Sequence, residues 1–236
     1  LAIGDVLRVT YTVRATTAIV ADGVFVNTAD ADWTSRDGAD ANERVYNDNP
    51  VNSSDGTQDT ASAAFTTPAL TFNKTDGGVI TTSVGSTIRY TLTVTSPLGT
   101  VRNLLITDSL PAGMNYGGNP AMSAGISPQI SPSLSGQNVI WSFGNAVITP
   151  TSPVTIAFDA VITDAASAIA GSILTNSAML TYNTVTGTLR TLTSTDNVAL
   201  IEPTIVISKR VTPASGVQAG DTLTYVVTLT NTGTST

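Results

Sequence analysis

The chain repeats itself at a fixed spacing, and this repeat limits the size of its folding units. Its two lysines, Lys74 and Lys209, stand at the ends of the similar segments LTFNK and IVISK, at an offset of 209 − 74 = 135. The segment GSTIRYTLTV at 85–94 matches GDTLTYVVTL at 220–229 with the same offset, and both have tyrosine in the sixth place. A repeat of this length predicts tandem structural units rather than one continuous fold.

A second match relates the start of the chain to its middle and places Asn27 on Asn176, at the larger offset of 176 − 27 = 149. The two offsets differ because the first unit has extra residues, which the polar segment 34–60 accommodates. We therefore predict three parts: residues 1–66 as the C-terminal half of a unit with the polar insert 34–60, residues 67–202 as a complete unit, and residues 203–236 as the first strands of a further unit.

Alternating apolar and polar residues dominate the chain and define its fold class. TIRYTLTV, VTIAFDAVI and ILTNSAMLTY all alternate with a period of two and are rich in Val, Ile, Thr and Tyr, as β-strands are. Turn signals such as DGG and PLGT separate them at the spacing of a sandwich. Segment 163–172 is the one stretch that tolerates helix, and we expect a loop or a single helical turn there. The predicted fold is all-β, with tandem Ig-like β-sandwich domains.

Composition excludes several classes of function. Charged residues make up 11% of the chain, against ~25% in typical globular proteins. The net charge of −7 disfavours nucleic-acid binding, which needs clustered Lys and Arg. Histidine and cysteine are both absent, which excludes disulfides, His-based triads and Cys/His zinc sites. No apolar run is long enough for a membrane span, so we expect none here. This composition is typical of extracellular or cell-surface β-proteins, and no enzyme acting on an external substrate is expected.

The acidic residues around the polar insert are weak candidates for a Ca²⁺ site. Asp30, Asp32 and Asp37 supply carboxylates, the ligands that Ca²⁺ prefers. The ligand spacing of an EF-hand is absent, since Thr34 stands at the next ligand position with no glycine after it. A solvated loop is the favoured interpretation, and no other cofactor is expected.

Three polar residues stand on the apolar faces of three different strands. Lys74 follows Leu70 and Phe72, and aliphatic residues alternate with Asp108 and Asn176 in the same way. Because an isolated buried charge is costly, such groups pair or become neutral. Three interpretations remain open: a buried Lys–Asp ion pair bonded to an amide, a reactive site, or exposed residues with no relation to one another.

The reactive interpretation follows from desolvation. Burial favours a neutral lysine amine and a protonated aspartic acid. The amine of Lys74 is then a nucleophile, and its attack on the side-chain amide of Asn176, with Asp108 moving the proton, would release ammonia and leave an isopeptide bond. Asp159 is a weaker candidate for the acid, because Phe158 and Ala160 occupy the inward positions of its strand.

These motifs resemble a known family. GSTIRYTLTVTSP, ITDSLPAGM and TNSAMLTY, preceded by a lysine on a strand, are similar to the isopeptide-forming domains of bacterial fimbrial and surface proteins. GDTLTYVVTLTNTGTST, at 220–236, resembles the repeats of large bacterial surface proteins. The resemblance covers all of 67–202 and the matching halves on either side.

The resemblance implies a role for each residue. It assigns Lys74 as the amine donor, Asn176 as the acceptor and Asp108 as the assisting acid. It also assigns Lys209 and Asn27 to bonds whose partners lie outside this stretch of chain.

The leading functional hypothesis is structural: an adhesin stalk, or the shaft of a fimbria or filament, built from repeats that are each locked by an isopeptide bond. Its partners would be neighbouring repeats, or identical subunits joined head to tail by strand addition through 203–236. The alternative is a carbohydrate- or protein-binding sandwich that uses the loops 34–60 and 111–128. The sequence contains no clustered exposed aromatic residues that favour this alternative.

Overall fold

The computed structural model describes residues 5–31, 33–34, 45–46, 60–148, 153–165 and 169–233, and these are all-β. No helix occurs among them, and therefore none long and apolar enough to cross a membrane. This confirms the predicted fold class. The described part of segment 163–172 ends in a turn before the next strand, as expected for a loop.

Eleven of the described strands build one β-sandwich with two sheets. The four strands of the smaller sheet, in spatial order, are β5 (Thr71–Thr75), β7 (Thr87–Thr95), β13 (Val154–Ile162) and β9 (Met114–Met122). The larger sheet runs β10 (Ile126–Ser127), β12 (Asn138–Ile148), β8 (Gly99–Ser109), β14 (Ile173–Asn183), β15 (Leu189–Leu200) and β6 (Thr81–Thr82), with β11 (Ser133–Ser135) also paired to β12. All pairs are antiparallel except β15–β6.

The core lies between the two sheets and follows the period-two alternation. In β7 and β13 every second side chain is buried, and Tyr90 and Phe158 have no exposed surface. The facing strands β8 and β14 contribute aliphatic residues in the same pattern, and Trp141 of β12 packs against Phe158 with ring centroids 5.6 Å apart. Burying apolar surface of this kind is the main stabilising contribution in a sandwich.

Three two-stranded antiparallel sheets lie outside this sandwich. They are β1 (Val24–Asp30) with β4 (Thr60–Thr66), β2 (Trp33–Thr34) with β3 (Val45–Tyr46), and β16 (Ile205–Thr212) with β17 (Thr224–Asn231). The register of the pair β16–β17 supports the repeat. Lys209 is opposite Val227 in this pair, and Lys74 is opposite Leu92 in the pair β5–β7. Both residues of the first pairing lie 135 positions after those of the second. The described structure contains one complete sandwich rather than several in tandem, and the division of the chain into three parts stays a prediction.

The segment before β1 is attached to the sandwich at the start of β8. The backbone of Thr100 pairs with this segment on both sides of Val20. The amide of Thr100 donates to the carbonyl of Ile19 at 2.8 Å, and the carbonyl of Thr100 accepts from the amide of Ala21 at 3.1 Å. Val20 and Ala21 are buried there. Gly99 permits this approach, because a Cβ at that position would collide with the carbonyl oxygen of Ile19.

Candidate functional site

Lys74, Asp108 and Asn176 all point into the sandwich core from three strands. Lys74 is on β5 at the edge of the smaller sheet, while Asp108 and Asn176 are on the neighbouring strands β8 and β14 of the larger sheet. Asp108 is opposite Ala178 in the β8–β14 register, and Asn176 is two residues before Ala178, so both side chains lie on the same face. The period-two alternation therefore predicted the orientation of all three residues correctly.

The lysine and the aspartate are in direct contact. Lys74 Nζ donates a hydrogen bond to Asp108 Oδ2, and both side chains are fully buried. Aromatic rings from the smaller sheet enclose the amine: Nζ lies 4.3 Å from the centroid of Tyr90 and 5.6 Å from that of Phe158. The contact is thus shielded from water by apolar side chains, where electrostatic interactions are strong.

The amide of Asn176 is buried at the same place without a conventional partner. Neither its Oδ1 nor its Nδ2 has a hydrogen-bond partner among the described residues, and the same holds for Asp108 Oδ1. Asn176 has no exposed surface. Buried polar groups are nearly always hydrogen-bonded, so three such atoms at one point mark this part of the core as unusual.

The pKa values of the pair shift in opposite directions. Burial lowers the pKa of Lys74, and the nearby Asp108 carboxylate opposes that shift. Burial also raises the pKa of Asp108, against the opposing effects of Lys74 and of the nearby Asn176 amide. Desolvation sets both directions, because it favours the neutral form of each group. Both shifts make transfer of a proton from the Lys74 amine to the Asp108 carboxylate less costly than it is in water.

Two further carboxylates lie next to this site and were not predicted from the sequence. Asp76 is buried after β5, and its amide donates to Asp196 Oδ2 at 2.5 Å. Asp76 Oδ1 accepts from the amides of Gly78 and Val79, at 2.8 and 3.0 Å. Both carboxylates act to raise the pKa of Lys74, although less than Asp108 does. The segment TDGG signalled only a turn, because aspartate is common at that position.

Tyr90 is the other residue that sequence reasoning missed. Its ring contacts the lysine amine, and its hydroxyl lies within 3.7 Å of Met114 Sδ. Burial raises the pKa of its phenol, and the nearby Asn176 amide acts against that shift. Its recurrence in the repeat as Tyr225 could have identified it from the sequence. In the structure, Lys209 Nζ likewise lies 4.6 Å from the Tyr225 ring.

The remaining sequence-predicted residues lie away from this site. Asn27 is exposed on β1 and donates to the Tyr11 hydroxyl at 2.7 Å. Lys209 is exposed on β16, and within the described residues neither it nor Asn27 meets the partner that an isopeptide bond requires. Asp159 faces away from the core, as expected, and accepts from Arg89 at 2.7 Å, which lowers the pKa of that carboxyl.

The predicted calcium ligands fall largely outside the described residues. Asp30 is an exposed residue at the end of β1, whereas Asp32 and Asp37 are not described. The described part of the chain holds no group of three or more acidic side chains placed to bind a metal ion. A Ca²⁺ site in this region stays a weak prediction.

Comparisons with known proteins find similarity in structure only. No family model matches the chain, and no curated protein matches its sequence. A crystal structure of BcpA, the major pilin subunit of Bacillus cereus, is 13% identical, with 65% of this chain and 47% of that chain covered and a TM-score of 0.46. This chain therefore spans about half the length of that pilin.

Two further solved structures are similar at the same level. A variant of BcpA is 10% identical over 87% of this chain and 71% of that chain, with a TM-score of 0.47. The full-length major pilin SpaD from Corynebacterium diphtheriae is 9% identical over 86% of this chain and 66% of that chain, with a TM-score of 0.41. Similarity this weak does not establish a function.

Proposed function

We propose that this chain is a structural repeat of an extracellular surface protein, locked by an isopeptide bond between Lys74 and Asn176. One observation carries the proposal: a lysine, an aspartate and an asparagine from three strands meet in the buried core, and the amide has no conventional partner among the described residues. A buried ion pair alone explains Lys74 and Asp108. It does not explain why a third polar group is buried beside them without hydrogen bonds.

The bonds that form and break belong to these three side chains alone. Transfer of a proton within the ion pair gives a neutral Lys74 amine and a protonated Asp108. Nζ adds to Cγ of Asn176, Asp108 carries a proton from Nζ to Nδ2, and the Cγ–Nδ2 bond breaks. One amide replaces another, a single ammonia leaves, and no oxidant or cofactor is required.

Intact mass spectrometry of the full chain tests this proposal. We expect a deficit equal to the mass of one ammonia, and a peptide that joins the regions of Lys74 and Asn176 after proteolysis. The deficit should disappear in Lys74→Ala and in Asp108→Ala. Lys209→Ala is the matched control, because it removes the other lysine of the chain and should leave the deficit unchanged. A full, unmodified mass in the folded wild-type chain would refute the bond.

The chemistry of the proposed bond supports a role on the cell surface or in a filament. The chain has no cysteine, so disulfides cannot stabilise it outside the cell. An amide cross-link fills that role and is unaffected by reduction. With a charged fraction of 11% and a sandwich fold, the chain fits the stalk of an adhesin or the shaft of a fimbria better than it fits an enzyme.

The proposed partners are neighbouring repeats or identical chains joined head to tail. The hairpin β16–β17 has the register of β5–β7 but leaves its apolar side chains exposed, with Ile207 and Leu229 both 66% exposed. The strand pair β1–β4 likewise exposes Val24 and Val26. Strand addition would cover such faces. Sedimentation velocity tests this idea, and a full chain that remains monomeric at every concentration would count against strand addition between copies.

A further inference from the structure

Tyr90 is a buried residue of the site that the proposed mechanism does not use. Its ring faces Lys74 Nζ, and it has no exposed surface. Its hydroxyl donates to Met114 Sδ at 3.7 Å, and a thioether is a weak acceptor. Phenylalanine would fill the same space, so packing does not explain a buried hydroxyl at this position.

The Asn176 amide lies beside that hydroxyl and needs a donor during the reaction. The Asn176 side chain lies close enough to the Tyr90 phenol to act on its pKa, and Oδ1 of Asn176 has no hydrogen-bond partner among the described residues. When the amine adds to Cγ, negative charge develops on Oδ1. Asp108 is then already occupied with the proton of the amine. In a site shielded from bulk water, a fixed hydrogen-bond donor directed at such an oxygen accelerates the reaction strongly.

We propose that Tyr90 is a catalytic residue of the cross-linking reaction, whose hydroxyl turns from Met114 Sδ to Oδ1 of Asn176 and donates a hydrogen bond to the developing oxyanion. This inference rests on the proposed isopeptide bond and adds a role to it. Tyr90 keeps its proton throughout, so the balance of the reaction is unchanged: one amine and one amide become one new amide and ammonia.

The repeat supports the assignment independently of any pKa shift. Tyr225 recurs at the position of Tyr90, with the same offset that relates Lys209 to Lys74. In the hairpin β16–β17, Lys209 Nζ lies 4.6 Å from the Tyr225 ring, close to the 4.3 Å between Lys74 and Tyr90. A tyrosine therefore accompanies the lysine in both copies, even where no sandwich core surrounds it.

The test compares the rate of ammonia loss in the wild-type chain and in Tyr90→Phe. Full-length chains are made by cell-free synthesis, samples are quenched in acid at intervals, and intact mass gives the cross-linked fraction. We expect Tyr90→Phe to fold normally by circular dichroism and to form the bond roughly 10²-fold more slowly, the usual effect of removing one oxyanion donor.

Tyr182→Phe is the matched control. Tyr182 is also a buried tyrosine of this sandwich, but its hydroxyl accepts from the amide of Leu70 at 3.4 Å and lies near Asp22 rather than the amine. Its removal should leave the rate unchanged. A wild-type rate in Tyr90→Phe would overturn the role of Tyr90 while leaving the cross-link in place. A wild-type chain that never loses ammonia would overturn the cross-link itself.

A second measurement does not depend on the folding of the variant. Synthesis with 3,5-difluorotyrosine makes every phenol more acidic and a stronger hydrogen-bond donor, while the ring retains its shape. The wild-type chain should then react faster by roughly severalfold. An unchanged rate would contradict a donor role for the hydroxyl.

Discussion

At the scale of single residues, the reactivity of this site depends on one shared proton. The pair of Lys74 and Asp108 binds two ionisable protons in acid, one at intermediate pH and none in base. The reactive form, a neutral amine beside a protonated acid, has one proton in total. It differs from the ion pair only in where that proton lies, so the two forms interconvert without exchange with solvent.

This proton count predicts a bell-shaped dependence of the cross-linking rate on pH. Because burial raises the pKa of Asp108, the acid limb should lie above the ordinary aspartate value of about 3.9. Because burial lowers the pKa of Lys74, the basic limb should lie below the ordinary lysine value of about 10.4. Both limbs belong to the pair as a whole. The measurement is the rate of ammonia loss in newly synthesised chains across pH, with circular dichroism as the check on folding.

A cross-linking rate that still rises with pH through the ordinary pKa range of lysine would contradict a role for the shared proton. It would mean that deprotonation of the amine alone limits the reaction and that the protonated Asp108 has no part in it. The variant Asp108→Asn helps to separate the two cases. Its side chain cannot move a proton, so its cross-linking rate should not show a bell-shaped dependence on pH.

The sequence predicted the three reacting residues because strand periodicity assigns a face without any knowledge of strand pairing. Lys74, Asp108 and Asn176 each interrupt an apolar face, and a polar residue there is conspicuous. Tyr90 was missed for the opposite reason, since a tyrosine is ordinary in a core. Asp76 was missed because its position in a turn conceals its burial.

At the scale of strands, the sequence predicted the elements but not their neighbours. That β8 lies beside β14 brings Asp108 and Asn176 together, yet five other strands separate the two along the chain. Such pairing depends on the topology of the whole sandwich rather than on local propensity. The repeat was more informative, because it predicted that β16–β17 would resemble β5–β7, and their registers agree.

The contact between the segment before β1 and the start of β8 gives a prediction at this scale. Gly99→Ala places a Cβ against the carbonyl oxygen of Ile19, at a residue with φ of 137°. We expect the segment to detach while the sandwich remains folded. Hydrogen exchange at the Ala21 amide, which bonds to the Thr100 carbonyl, should then accelerate by roughly tenfold or more.

Gly77→Ala is the control for this variant. Gly77 also has positive φ, at 80°, but a Cβ there meets no atom within 4 Å. It should carry a similar backbone penalty without changing exchange at Ala21. If Gly99→Ala left that exchange unchanged, the close approach of Gly99 to Ile19 would not be what holds the segment.

At the scale of the whole molecule, the proposed bond joins the first strand of the sandwich to one near its end. The sequence separation of Lys74 and Asn176 is 176 − 74 = 102. By analogy with disulfides, closing a loop of this size restricts the unfolded chain by about 4–5 kcal/mol. The larger consequence concerns force, because a pull on the two ends of the chain passes through the bond and bypasses nearly all of the residues between.

Single-molecule stretching measures this consequence directly. In the wild-type chain, the residues between Lys74 and Asn176 should contribute almost nothing to extension, because an amide does not break at forces that unfold a sandwich. In Asp108→Ala, where the bond cannot form, unfolding should release that whole loop, about 340–370 Å of extended chain. Lys209→Ala should behave like wild type, since its lysine lies outside the loop. Equal extensions for wild type and Asp108→Ala would show that the core holds an ion pair rather than a covalent bond, and that the sandwich resists force by its hydrogen bonds alone.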